Sequence, residues 1–200
     1  MIVVGITGNF SSGKSAVTAV FKKMGAKVFD ADVTAKKVVR KGTALHRAIV
    51  QIFGTEYLDK KGELDRGRLA RRVFSSPDDL RKLNILIHPE VIFEALKMKK
   101  DLKGKKGILV LDVPLLYESK MERLADLVIV VNAARSAMIS RAARRGVAPA
   151  LSKKILSSQW PLDRKVRRAD FVIENDGDKK SLETKAKEIF RQILSGHSEK

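Results

Sequence analysis

Gly8-Asn9-Phe10-Ser11-Ser12-Gly13-Lys14-Ser15 fits the spacing G-x-x-x-x-G-K-[ST], the phosphate-binding loop of nucleotide-using proteins. Each position has a physical reason. Gly8 and Gly13 let the backbone curl until successive N–H groups face a β-phosphate. Lys14 brings a point charge to the β- and γ-oxygens, and the Ser15 hydroxyl takes a place on Mg²⁺. Ahead of the loop, Ile2-Val3-Val4-Gly5-Ile6-Thr7 is a short β-branched run suited to a buried strand. Behind it, Ala16-Val17-Thr18-Ala19-Val20-Phe21 continues as a helix whose positive end adds to the anion site. Strand, loop and helix are the context this motif requires, and they disfavour an ordinary Gly/Ser turn. All eight loop residues, with Ala16 behind them, are candidate ATP contacts.

Outward from the loop, the helix is expected to end near Met24, with Gly25 in a capping position. Lys27-Val28-Phe29-Asp30 reads as a second strand, with Asp30 and Asp32 at its carboxyl end. The segment 33–106 is helical in pattern with several breaks. Leu45, Ala48, Ile49, Ile52 and Phe53 share a face that Gly54 ends, and Ser76-Pro77-Asp78 looks like a helix start. His88-Pro89 is expected to break or kink the helix that follows. Ile108-Leu109-Val110-Leu111-Asp112 is a third buried strand. Leu127-Val128-Ile129-Val130-Val131 is a fourth, closed by Asn132, and Phe171-Val172-Ile173-Glu174 is a fifth. A last helix runs from about Lys179 to Leu194, and a disordered tail is expected from Gly196.

Strands alternating with helices imply an α/β fold: a five-stranded, mainly parallel sheet with helices on both faces. The predicted nucleotide-binding core is 1–32 with 107–134 and 169–195, the helical insertion is 33–106, and a basic lid is 135–168. Ligands in such sheets sit at the carboxyl ends of the strands. Those ends carry the loop, Asp30 and Asp32, Asp112 and Asn132.

Composition narrows the class. The 200 residues, 44% of them hydrophobic, suffice for one core plus insertions, and no apolar run is long enough for a membrane span. No basic segment precedes the first apolar run, which argues against a signal peptide. The absence of cysteine excludes disulfides, thiolate metal sites and a Cys nucleophile, and fits the cytoplasm. The formal net charge of +18 favours polyanionic partners. Half of it lies in 135–168, where ten Lys and Arg face the single acid Asp163. A phosphate-clamping lid and a nucleic-acid surface both look like this. The segment has no interleaved aromatics beyond Trp160 and no recognisable nucleic-acid motif, which weakens the second reading.

Phosphoryl transfer needs a metal-bound nucleotide, an oriented acceptor and cations around the migrating group. Asp112 closes an apolar strand, where a carboxylate would hold Mg²⁺ directly or through water, or would merely cap a turn. Asp32 would accept or orient the proton of an acceptor hydroxyl; its bland alternative is an N-cap for a helix starting near Val33. Arg141 and Arg145, four apart, are expected on one helical face of the lid. His88, before a proline, is either a structural hydrogen-bonder or a site residue. Trp160 and Phe53 read as packing residues.

Taken in order, several stretches resemble the dephospho-CoA kinases, P-loop enzymes that phosphorylate the ribose 3′-hydroxyl of dephospho-CoA. They are the loop, Phe29-Asp30-Ala31-Asp32, Ile87-His88-Pro89-Glu90-Val91 and Leu111-Asp112-Val113-Pro114-Leu115-Leu116-Tyr117-Glu118. Arg141, Arg145, Ser158-Gln159 and Ala169-Asp170-Phe171-Val172-Ile173-Glu174-Asn175 complete the set. The likeness covers residues 2–194. It implies Asp32 as catalytic base, Lys14 and Ser15 as phosphate and Mg²⁺ contacts, and Arg141 as a lid contact to ATP. It also implies 33–106 as the CoA-binding part, with His88 shaping the acceptor site. The family's loop usually carries Gly where Ser11 stands and a hydroxyl residue where Ala16 stands. The lid is about two residues shorter between Arg145 and Gln159, and Lys154 replaces an Arg.

Two other readings remain open from the residues. Another small-molecule P-loop kinase, for a nucleoside or a nucleotide, would share the loop, but a phosphate acceptor would be repelled by Asp30 and Asp32. A nucleotide-switched nucleic-acid-binding protein would account for the charge, through salt-dependent binding.

Overall fold

The computed structural model describes residues 1–197. The first β-branched run forms β1 (Ile2–Thr7), and the loop leads into α1 (Lys14–Lys23). Gly25 adopts φ +96°. Ala26 N–H then donates to Phe21 O at 3.0 Å and Gly25 N–H to Lys22 O at 3.1 Å. These are the two bonds of a Schellman closure, which needs a left-handed residue there. β2 (Lys27–Asp30) passes directly into α2 (Ala31–Val38), followed by α3 (Ala44–Phe53), α4 (Arg66–Val73) and α5 (Pro77–Asp101). Then come β3 (Ile108–Asp112), β4 (Leu127–Asn132), α6 (Arg135–Ala143), α7 (Pro149–Ser158), α8 (Leu162–Val166), β5 (Phe171–Glu174) and α9 (Lys179–His197).

The strands lie in the order β2-β3-β1-β4-β5, and every pairing is parallel. All carboxyl ends therefore share one edge. The register sets Ile6 opposite Asp112 and Asp112 opposite Asp30. Val4 and Ile6 pack into a core with Val17 and Phe21 of α1 and Phe190 and Ile193 of α9. Phe21 meets Phe190 edge to face, with centroids 5.1 Å apart. Each such buried side chain contributes about 1.5–3 kcal/mol. Alternation turns Val3 and Gly5 to the opposite face, where a Cβ on Gly5 would come within 2.9 Å of Leu116. α8 packs beside β4.

The chain divides into two compact units, Met1–Asp30 with Met98–Lys200, and Ala31–Lys97. The division falls at 31 and 97 rather than 33 and 106, and α6, α7 and α8 belong to the first unit. The second unit is helical around Val39, Ile49, Leu64, Leu69 and Val73. Three of its helices, α3, α4 and α5, start on side-chain caps. Thr43 accepts from His46 N–H, Asp65 from Arg68 N–H, and Ser76, the expected helix start, from Asp79 N–H at 3.3 Å.

Two expectations are corrected. α5 is not broken at His88-Pro89 but runs for 25 residues with Pro89 inside it. Proline removes the hydrogen bond to the residue four earlier, here Ile85, which is 66% exposed, so the loss falls at a solvent-facing position. The last helix extends past Leu194 through Gly196 to His197; the rest of the expected tail, 198–200, lies outside the described residues. Among the described residues no helix is long and apolar enough to cross a membrane.

Candidate active site

α1 begins at Lys14 on Gly13, whose φ is +106° and which makes no side-chain cap bond. A Cβ at Gly13 would collide with the side-chain amide of Asn175, so only glycine fits. Asn175 Nδ2 donates to Ser12 O at 2.6 Å, and Arg141 Nη1 donates to the same oxygen at 3.2 Å. In a planar trans peptide the N–H points opposite the C=O. Pinning the Ser12 carbonyl therefore turns the Gly13 N–H outward, as an anion site requires. Arg141 Nη2 also donates to Asn175 O at 3.0 Å, and Asn175 N–H to Asn132 O at 2.8 Å. Arg141 thus braces the loop through the Ser12 and Asn175 carbonyls.

Ser11 sits at φ +61°, a left-handed position that costs a residue with a side chain about 1 kcal/mol. Asn9 Oδ1, Ser11 Oγ and Ser12 Oγ are buried without a hydrogen-bond partner. Orphaned hydroxyls are unfavourable unless a ligand completes them, and two of the three orphans can donate to phosphate oxygens. The loop is also tied sideways. Phe10 N–H donates to Gln159 Oε1 at 2.8 Å and Asn9 Nδ2 to Trp160 O at 3.1 Å. Trp160 is packing, as expected: Tyr117 stacks on its ring and the Arg164 guanidinium lies 3.5 Å from its centroid.

At the strand edge, Lys14 Nζ pairs with Asp112 Oδ1, with side chains 11% and 5% exposed. Asp112 and the exposed Ser15 hydroxyl, one residue after Lys14, are hard oxygen donors of the kind Mg²⁺ takes. Among the described residues no three His, Cys, Asp or Glu cluster to hold a metal. Asn132 donates to both carboxylate oxygens of Glu174, at 3.0 and 2.9 Å, so that strand end serves β5 rather than the loop.

Asp32 is exposed in the first turn of α2. The helix begins at Ala31, ahead of it, which removes the reading of Asp32 as an N-cap. His88 is half-buried in α5. Arg145 is exposed and lies beyond the end of α6 at Ala143. Arg141 and Arg145 therefore do not share a helical face as the spacing suggested, because the helix stops before Gly146 at φ +80°.

Comparison with known proteins now gives the lineage. The family model for dephospho-CoA kinase matches residues 2–181. The chain belongs to the dephospho-CoA kinase family. A dephospho-CoA kinase of Bacillus thuringiensis subsp. konkukian is 38% identical over 194 residues, covering 96% of each chain. The crystal structure of TT1252 from Thermus thermophilus superposes with a TM-score of 0.76 at 32% identity, covering 96% of this chain and 97% of that one. A dephospho-CoA kinase from Campylobacter jejuni shares the fold at a TM-score of 0.71 and 24% identity, covering 98% of both.

Membership in the dephospho-CoA kinase family sharpens which residues the sequence left unmarked. Glu118, Gln159 and Asn175 stand in stretches that carry the likeness, yet nothing in their spacing assigns them a task. Lys165 was one cation among ten. In the structure it is fully buried, and burial pushes its ammonium down from the ordinary lysine range against the opposing pull of Glu118. Burial, then the Asp170 carboxylate, push the Tyr117 hydroxyl up to about 12.

Proposed function

We propose that this chain transfers the γ-phosphoryl group of ATP to the ribose 3′-hydroxyl of dephospho-CoA, giving coenzyme A and ADP. The observation that carries the reading is the loop at residues 8–15. Its Ser12 carbonyl is held back by Asn175 and Arg141, and its Lys14 is paired with Asp112 at the next strand end. The outward loop amides and Ser11 and Ser12 hydroxyls take the β- and γ-phosphate oxygens. Lys14 has three donors, so it contacts phosphate while one N–H still faces Asp112. Ser15 and Asp112 would hold Mg²⁺, which supplies charge neutralisation across the β- and γ-oxygens.

In the transfer the acceptor oxygen bonds to the γ-phosphorus as the bond to the β–γ bridging oxygen breaks. Asp32 takes the proton of the attacking hydroxyl, a contribution on the order of a hundredfold or more. The family likeness assigns His88 to acceptor binding, and Arg141 and Arg145 to the ATP phosphates. The test supplies Mg-ATP with dephospho-CoA, AMP or a polynucleotide and follows ADP. Stimulation by dephospho-CoA supports the reading; stimulation by AMP or polynucleotide alone overturns it.

A further inference from the structure

Behind the loop lies an ion pair that the chemistry does not touch. Lys165 is 0% exposed, and its ammonium donates to Glu118 Oε1 at 2.8 Å and to Pro114 O at 3.1 Å. The same Glu118 oxygen accepts the Trp160 N–H at 2.8 Å. Trp160 O and Gln159 Oε1 in turn hold Asn9 and Phe10 of the phosphate loop. Pro114 O, two residues past Asp112, also accepts the Thr7 hydroxyl at 3.2 Å, one residue before Gly8. The Glu118 carboxylate thus reaches the loop through Trp160, and the buried Lys165 ammonium reaches Thr7 through the Pro114 carbonyl.

A buried pair contributes little net stability over apolar side chains of the same volume. What it supplies here is direction. Hydrocarbon in its place would leave the Trp160 N–H without its acceptor and take one donor from Pro114 O. Residues 159–160 would then no longer be fixed where Asn9 and Phe10 need them.

We infer that Glu118 and Lys165 are positioning residues for ATP: through Gln159 and Trp160 they set the first half of the phosphate loop, and through Pro114 the peptide after Asp112. The inference rests on the reading of the loop as an ATP site. It predicts a cost that falls on nucleotide recognition, because displacing a binding group by about 1 Å costs on the order of a hundredfold and smaller shifts cost less.

The test uses Glu118→Leu/Lys165→Met, which removes both charges and the acceptor of the Trp160 N–H together and leaves no buried ion alone, and Gln159→Ala, which leaves the pair intact. Both are compared with wild type for kcat, KM for ATP and KM for dephospho-CoA, with thermal melting to confirm folding. The KM for ATP should rise roughly tenfold in each folded variant, while that for dephospho-CoA stays within about twofold. ATP affinity is read independently from the emission of Trp160, the chain's single tryptophan. Folded variants whose ATP KM and affinity both stay within about twofold of wild type overturn the inference, as does an equal loss for both substrates. A wild-type protein that binds ATP but ignores dephospho-CoA defeats the proposed function alone, and the emission titration still decides this point.

Discussion

Each of the two units is held in shape by its own kind of bond. In Met1–Asp30 with Met98–Lys200, the bonds that shape the loop join distant residues: Arg141 and Ser12 are 129 apart, Asn175 and Ser12 163, and Gln159 and Phe10 149. In Ala31–Lys97 the spans are shorter: 30 residues from Arg66 to Lys36, 22 from Lys41 to Glu63, 16 from His46 to Gly62, and three at the Thr43 and Asp65 caps. The surfaces differ as well. Among the described residues, the exposed large apolar side chains are Val33, Ile52, Ile85, Phe93 and Leu96 in the second unit and Leu194 in the first. A phosphate site needs amides fixed to within fractions of an ångström, which distant braces provide. Caps close in sequence suffice to start helices.

Breaking the first unit at its centre should have the largest effect. Lys14→Met removes the phosphate contact and leaves Asp112 buried without its partner. Turnover should fall about 10³-fold, and the melting transition should drop by the equivalent of roughly 3 kcal/mol. Turnover close to wild type would remove Lys14 from the site.

In the second unit, Ile49 is fully buried. Ile49→Ala should cost about 2–5 kcal/mol by chemical denaturation, raising the KM for dephospho-CoA while ATP affinity holds. Equal loss of both affinities would erase the contrast between the units.

A smaller effect follows from Tyr117, whose hydroxyl donates to Arg168 O and titrates near 12 rather than 10.0 because it is buried. The folded state keeps the proton longer than the unfolded chain. This contribution is therefore whole below pH 10 and is lost as pH rises towards 12. The denaturation midpoint should fall over that window, and Tyr117→Phe should flatten the fall. A midpoint that rises there contradicts the assignment. Last, Ser11→Gly relieves the left-handed strain and should stabilise the protein by about 1 kcal/mol; a lower melting temperature would show that the Ser11 side chain supports the loop.

The same contrast explains how far the residues alone could be read. The loop, the five strands and the stops at Gly25 and Gly54 are written in short windows, where β-branched runs and positive-φ glycines act locally. Counting charge in 135–168 could not separate Lys165, fully buried, from Arg145, exposed, since burial is set by where β3 and β4 place their neighbours. Nor could spacing tell that Arg141 faces the Ser12 carbonyl. His88-Pro89 allowed a break or a kink, and the residues alone did not show that the helix continues through Pro89 at a solvent-facing turn.

The central claim divides the labour: ATP is held by the loop, and the acceptor hydroxyl is prepared by Asp32. It is tested most directly by Asp32→Asn, with kcat and ATP affinity measured on the same preparation. The account predicts a kcat lower by about a hundredfold with the ATP dissociation constant unchanged. An unchanged kcat, or a loss of ATP affinity in step with it, would contradict the account.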